Sequence, residues 1–194
     1  MKILISPAKS LDFKSTLPTN THTQPAFLNE AVQLNASLKT KSPAELQKLM
    51  HISEKLATLN WERNQQFTTP FTNDNARPAV FAFNGDVYSG LDAYSFSENA
   101  LDIAQHNLRI LSGLYGILKP LDLMQPYRLE MGTSFGLSGQ KTLYAFWKEQ
   151  LTTHLKNELS SSELVVNLAS KEYASAIDFD ALKTPVIHPV FKDF

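Results

Sequence analysis

Apolar positions along this chain fall into short uniform runs and longer stripes of helical period, and the two kinds alternate. Lys2-Ile3-Leu4-Ile5 is a short, partly β-branched run that reads as a buried strand. It stops at Ser6-Pro7, where serine suits a cap and proline a first helical turn. Residues 14–25, rich in Thr, Asn and Pro, carry no period and read as a loop. Phe27, Ala31, Leu34 and Leu38 share one helical face. Ser42-Pro43-Ala44-Glu45 is a capping box with proline in the first turn, and Leu46, Leu49, Met50, Ser53 and Leu56 continue that helix. Residues 68–78 read as another loop.

Ala79-Val80-Phe81-Ala82-Phe83 reads as a second buried strand. Ser95 with Glu98 forms a second capping box. The helix it opens, over 96–112, turns Leu101, Ala104, Leu108 and Leu111 inward and ends at Gly113. Leu143, Phe146, Trp147, Leu151 and Leu155 mark a long amphipathic helix. Leu164–Leu168 and Val186–Phe191 read as further strands, the last at an edge because of Pro189. Strands separated by helices predict an α+β (mixed α/β) fold, a mixed sheet flanked by helices, in one domain over 1–194. The strand pattern still runs at Val190-Phe191-Lys192-Asp193-Phe194, so either a short tail closes the sheet or a C-terminal segment is lacking.

Composition narrows the classes. A hydrophobic share of 43% and a charged share of 19% are those of a soluble globular protein. No apolar run approaches the roughly 20 residues of a membrane helix, and the first residues are too short a run for a signal peptide. With no cysteine there is no disulfide, thiolate nucleophile, zinc ribbon or iron–sulfur ligand, so the expected compartment is the cytosol. Lys plus Arg at 18 against Asp plus Glu at 19 gives no global sign of a nucleic-acid binder, though a local basic face is compatible with it. His22, His51, His106, His154 and His188 share no ligand spacing, so neither a metal nor a cofactor is expected. P-loop, G-x-G-x-x-G and G-x-S-x-G patterns are missing.

Candidate chemistry gathers where the runs end. Lys9 follows the first predicted strand, Asn84 and Asp86 the second, and Ser170, Lys171 and Glu172 the third. Open α/β sheets bind ligands beyond the carboxyl ends of their strands. Lys9, Asp86, Tyr88, Ser112, Arg128 and Glu172 are therefore expected around one cleft. A lysine beside carboxylates suits an anionic ligand or, when desolvated, acid–base or Schiff-base chemistry; the alternative is a solvated ion-pair rim. Four of the seven glycines lie in Phe83–Leu91 and Leu111–Asp122. Helix 96–112, the turn Gly113-Leu114-Tyr115-Gly116 and a short helix from Ile117 would offer backbone N–H groups to a phosphate, flanked by Arg109 and Lys119. The alternative is a glycine-capped helix and a turn with Tyr115 packed inward. Arg128 and Glu130 share a face if that segment is extended, as a positioned pair in a cleft or an exposed pair of little worth. Asp122 reads as a turn or capping acid.

Ile3–Lys9, Phe83-x-Gly85-Asp86-Val87-Tyr88-x-Gly90-Leu91, Leu111–Gly116 with Pro120–Gly132, and Asn167-Leu168-Ala169-Ser170-x-Glu172-Tyr173 together resemble the YaaA family of bacterial peroxide-stress proteins, from Met1 to Phe194. The resemblance implies a cytosolic protein of the hydrogen peroxide response, linked to limiting unincorporated iron and so oxidative damage to DNA. It also implies binding of double-stranded DNA through a basic cleft and a helix-hairpin-helix element. Carried onto this sequence, the DNA role falls on Gly113 and Gly116 with Arg109, Lys119, Arg128 and Lys9. Family members continue past Pro189-Val190-Phe191 into a lysine- and arginine-bearing segment. Two readings stand. One is a stress protein that binds DNA largely without sequence preference, since no helix offers a base-reading face. The other is an enzyme acting on a small molecule, such as a nucleobase derivative, with Lys9, Asp86, Tyr88, Ser112, Arg128, Glu130 and Glu172 as catalytic candidates. A deep pocket holding Lys9 and Asp86 favours the enzyme; an open groove lined by Arg109 and Lys119 favours DNA.

Overall fold

β1 (Lys2–Ile5) takes the centre of the sheet because its apolar run is covered from both sides, with Leu4 and Ile5 buried. The structure, a computed structural model, describes residues 1–160 and 162–191. After β1 come β2 (Ser10–Leu11), α1 (Leu28–Lys39), α2 (Pro43–Met50), α3 (Glu54–Gln66), β3 (Arg77–Pro78), α4 (Ala79–Ala82), β4 (Phe83–Asn84), α5 (Asp86–Leu91) and α6 (Glu98–Asn107). The chain continues through β5 (Leu108–Ser112), β6 (Gly116–Leu118), β7 (Leu123–Met124), α7 (Leu143–Glu158), β8 (Val165–Asn167), α8 (Lys171–Ala174) and β9 (Val186–Ile187).

The main sheet has the order β6-β5-β1-β8-β9. β5, β1, β8 and β9 run parallel and β6 antiparallel to β5, with Ile5 opposite Ile110 and Leu4 opposite Asn167. Two short antiparallel ribbons, β2 with β4 and β3 with β7, lie beside it. The fold is α+β, a mixed sheet flanked by helices. α7 lays Trp147, Leu151 and Leu155, all fully buried, against the β5–β6 hairpin. Trp147 Nε1 donates to the Gly113 carbonyl at 2.9 Å and so fixes the hairpin to the helix.

Several expected elements are corrected. Ser6-Pro7 leads into β2 rather than a helix. The helix expected from Ser42 breaks at His51, whose φ of 53° ends α2, and Ser53 restarts the chain as the cap of α3 by accepting from the Leu56 N–H. A capping serine thus sits where an amphipathic reading put a face position. Ala79–Ala82 is a buried helical turn, and only Phe83–Asn84 is strand. A uniformly apolar run has no period with which to tell the two apart. Ser97, not Ser95, caps α6.

The largest correction concerns 108–118. α6 stops at Asn107, and Leu108–Ser112 is a wholly buried strand hydrogen-bonded to β1. Gly113–Tyr115 is therefore the turn of a β-hairpin, and the helix-hairpin-helix expected there does not exist. Among the described residues, helices joined by a short turn occur instead at α1–α2 and α2–α3. The last predicted strand is confined to Val186–Ile187 at the sheet edge, and Lys192–Phe194 lie outside the described residues.

Candidate functional site

The parallel arrangement brings the carboxyl ends of β1, β5 and β8 to one side of the sheet. β1 is where the strand order reverses, with β5 on one flank and β8 on the other, so a crevice opens at Ser6–Lys9. Ser6 ties the crevice together. Its hydroxyl accepts from the Ser170 N–H at 2.9 Å and donates to the Ser170 hydroxyl at 3.3 Å, while its carbonyl accepts from the Tyr88 hydroxyl at 2.9 Å.

The opposite wall is the segment 125–130, whose burial alternates as in a strand. Gln125, Tyr127 and Leu129 are buried, while Pro126, Arg128 and Glu130 face outward. Its position is set by Gly113: a Cβ there would lie 2.2 Å from the Leu129 carbonyl oxygen, so only glycine lets the hairpin turn lie against this wall. Arg128 Nη2 donates to Glu130 Oε1 at 2.7 Å, and Lys9 Nζ reaches the same oxygen at 3.3 Å. Glu172 Oε1 accepts from the Gly132 N–H at 2.8 Å. A small cavity of about 70 Å³ lies between them, with Tyr127 and Tyr173 at its back. Behind it the Ser112 and Tyr127 hydroxyls are 2.6 Å apart.

The cleft sets two cations, Lys9 and Arg128, beside two carboxylates, Glu130 and Glu172. Burial drives the Tyr88, Tyr127 and Tyr173 phenols above their ordinary value, so none of them is a base at neutral pH, and the Tyr88 proton is already given to the Ser6 carbonyl. Arg63 approaches from α3. Burial first, and the Arg128 guanidinium second, hold it below the usual arginine value. Glu130 is engaged by two cations and Glu172 by a backbone donor, which leaves neither as an unencumbered base. Arg128 Nε is buried and has no hydrogen-bond partner among the described residues.

Of the sequence candidates, Lys9, Arg128, Glu130 and Glu172 meet in this cleft. Tyr88 and Ser112 stand behind it, acting through Ser6 and Tyr127. Asp86 is exposed at the start of α5, on the flank where Gly85 packs on Ala8, and does not line the cavity. Arg109 and Lys119 are elsewhere. Arg109 is only 3% exposed, bonds Glu158 with two nitrogens at 2.7 and 3.1 Å, and donates to the Gln105 and Leu108 carbonyls. Lys119 Nζ lies 3.3 Å from the same Glu158. The hairpin N–H of Tyr115 is taken by the Ser112 hydroxyl, and Gly116 sits at φ 68° under Trp147. The phosphate-binding turn expected from these residues is thus a packing device. Ser6, Arg63, Tyr127 and Tyr173 were missed as site residues. Alternation around Arg128 was a usable signal for Tyr127, whereas nothing local marked Arg63.

A family model described as peroxide stress protein YaaA matches residues 1–194. The chain is 59% identical over 194 residues to a UPF0246 protein of Flavobacterium psychrophilum and 61% identical over 194 residues to one of Flavobacterium johnsoniae. It is 51% identical over 195 residues to a UPF0246 protein of Aliivibrio fischeri. These alignments take in 100% of this chain and 77%, 77% and 75% of those proteins.

Proposed function

The chain belongs to the peroxide stress protein YaaA family, and from that membership we propose that it works in the cytosol by holding DNA phosphate in the cleft at the strand ends. Binding there would shield DNA from iron-driven peroxide damage. One observation carries the reading: Arg128 and Lys9 line one cleft at the strand ends, with Arg63 lining the cavity next to it. A phosphate would meet the Arg128 guanidinium and the Lys9 ammonium, and charge-assisted hydrogen bonds of that kind are the stronger class. Backbone contacts of this kind give affinity without base readout. No helix among the described residues is long and apolar enough to cross a membrane.

A second reading, an enzyme acting on a small nucleobase derivative in the same cleft, is favoured by the Ser112–Tyr127 hydroxyl pair directly behind Arg128. Duplex affinity measured against salt separates them. Arg128→Ala and Lys9→Ala should weaken binding to all duplexes alike and each flatten the slope of log affinity against log salt by about one unit. Replacing Lys119, which does not line this cleft, by alanine should leave the slope unchanged. Salt-independent affinity, or a slope that answers to Lys119 and not to Arg128, would overturn the DNA reading.

A further inference from the structure

The outward face that carries Arg128 and Glu130 continues through Pro126 into a second, larger cavity of about 390 Å³. The two are neighbours, because Pro126, which lines the larger one, is two residues from Arg128, which lines the smaller, on the same face of an extended segment. Phe13, Leu17 and Pro126 give it apolar walls, and Arg63, Gln66 and Asp74 supply a guanidinium, an amide and a carboxylate.

The cavity is built rather than incidental. Gln125 is buried and closes a two-way bond with the Thr68 backbone, accepting from its N–H at 3.1 Å and donating to its carbonyl at 3.0 Å. Asn75 accepts from the Thr72 N–H and donates to the Pro70 carbonyl. Arg77, 7% exposed, donates to the Phe81 and Ser15 carbonyls and to the Tyr94 hydroxyl. These side chains hold three loops in place around the space, leaving Gln66 and Asp74 on its rim. A preformed concavity with apolar walls and a few polar groups is the general form of a small-ligand site.

We infer that this cavity receives a single unstacked nucleobase, guanine best, when the adjoining phosphate lies on Arg128 and Lys9. The inference rests on the phosphate reading of the first cleft. Phe13 and Pro126 offer faces for a base, and aromatic contact with a base tolerates any sequence. Guanine alone couples the O6/N7 acceptor edge that arginine prefers with N1–H and N2–H donors for a carboxylate, which matches Arg63 and Asp74. The occupant would come from an end, a gap or a damaged site, where a base leaves the stack at least cost.

The test uses duplexes carrying a one-nucleotide overhang of guanine, adenine, cytosine or an abasic spacer, with guanosine monophosphate as a separate ligand. Guanine should bind at least about tenfold more tightly than the abasic spacer, with adenine and cytosine between. Asp74→Asn, at an exposed position, should abolish the guanine preference and leave abasic affinity unchanged. Arg128→Ala should lower all four alike. Equal affinity for guanine and spacer, with Arg128→Ala still lowering both, would overturn the base pocket and leave the phosphate site standing. No binding to any duplex would sink the DNA reading, and guanosine monophosphate then decides the pocket: binding lost in Asp74→Asn supports it, and no binding overturns it.

Discussion

Substituting Gly113 by alanine tests how the hairpin and the site wall are joined. The new Cβ would lie 2.2 Å from the Leu129 carbonyl oxygen, 2.9 Å from its carbon and 3.2 Å from the Glu130 carbonyl carbon. All three are backbone atoms, so no rotamer change relieves the contact. The hairpin cannot slide away, because Trp147 Nε1 holds the Gly113 carbonyl from the opposite side. The wall must therefore retreat by about 1 Å, and overpacking of this kind costs about 2–3 kcal/mol. For a domain of this size that corresponds to a fall of roughly 4–12 °C in Tm. Displacing Leu129–Glu130 should also disturb the Glu130 contacts to Lys9 and Arg128, so the cleft changes together with stability. Gly90→Ala is the internal control. Nothing lies within 4 Å of its Cβ position in α5, so alanine should be neutral or stabilise by up to about 1 kcal/mol. Thermal unfolding followed by far-ultraviolet circular dichroism reads both variants. A Gly113→Ala protein melting with the parent would refute the close-packing argument.

Two further outcomes concern buried charge. Glu158→Ala should destabilise by about 2–4 kcal/mol in urea unfolding, because it strands the buried Arg109 guanidinium, whereas Lys119→Ala should cost under about 1 kcal/mol; equal effects would refute this. Burial would raise the Glu158 carboxyl, but the Arg109 hydrogen bonds and the Arg109, His154 and Lys119 charges bring it below its ordinary value, so its contribution is present above that value and fades as the pH falls through the folded pKa. Asp122 has the opposite sign. Burial lifts it from 3.8 to about 6 despite the Thr23 hydroxyl and Lys119 N–H bonds, so the folded state holds its proton longer and stability drops as pH rises between those values, by roughly 3 kcal/mol at most. Asp122→Asn should remove that drop, and parallel stability–pH curves for parent and variant would contradict it.

Local chemistry determined a good part of this molecule. β1, the faces of α1 and α7, and the Ser42–Glu45 capping box formed as read, because each rests on interactions within one turn or one uniform run. The gathering of Lys9, Arg128, Glu130 and Glu172 followed from two local facts, residues placed just past strand ends and an alternating wall. Tertiary structure decided the rest. Leu101, Ala104, Leu108 and Leu111 keep helical spacing, yet pairing with β1 and complete burial make 108–112 a strand, because a central sheet position satisfies its backbone as fully as a helix would. Arg109 then points at Glu158 instead of a ligand, an assignment set by a partner 49 residues away. Arg63 comes beside Gln125 and Pro126 only through the fold, lining the neighbouring cavity with them, and no spacing along the chain encodes that approach. Sequence fixes what a residue can offer, while burial and long-range pairing choose which offers are taken up inside and which remain for a ligand.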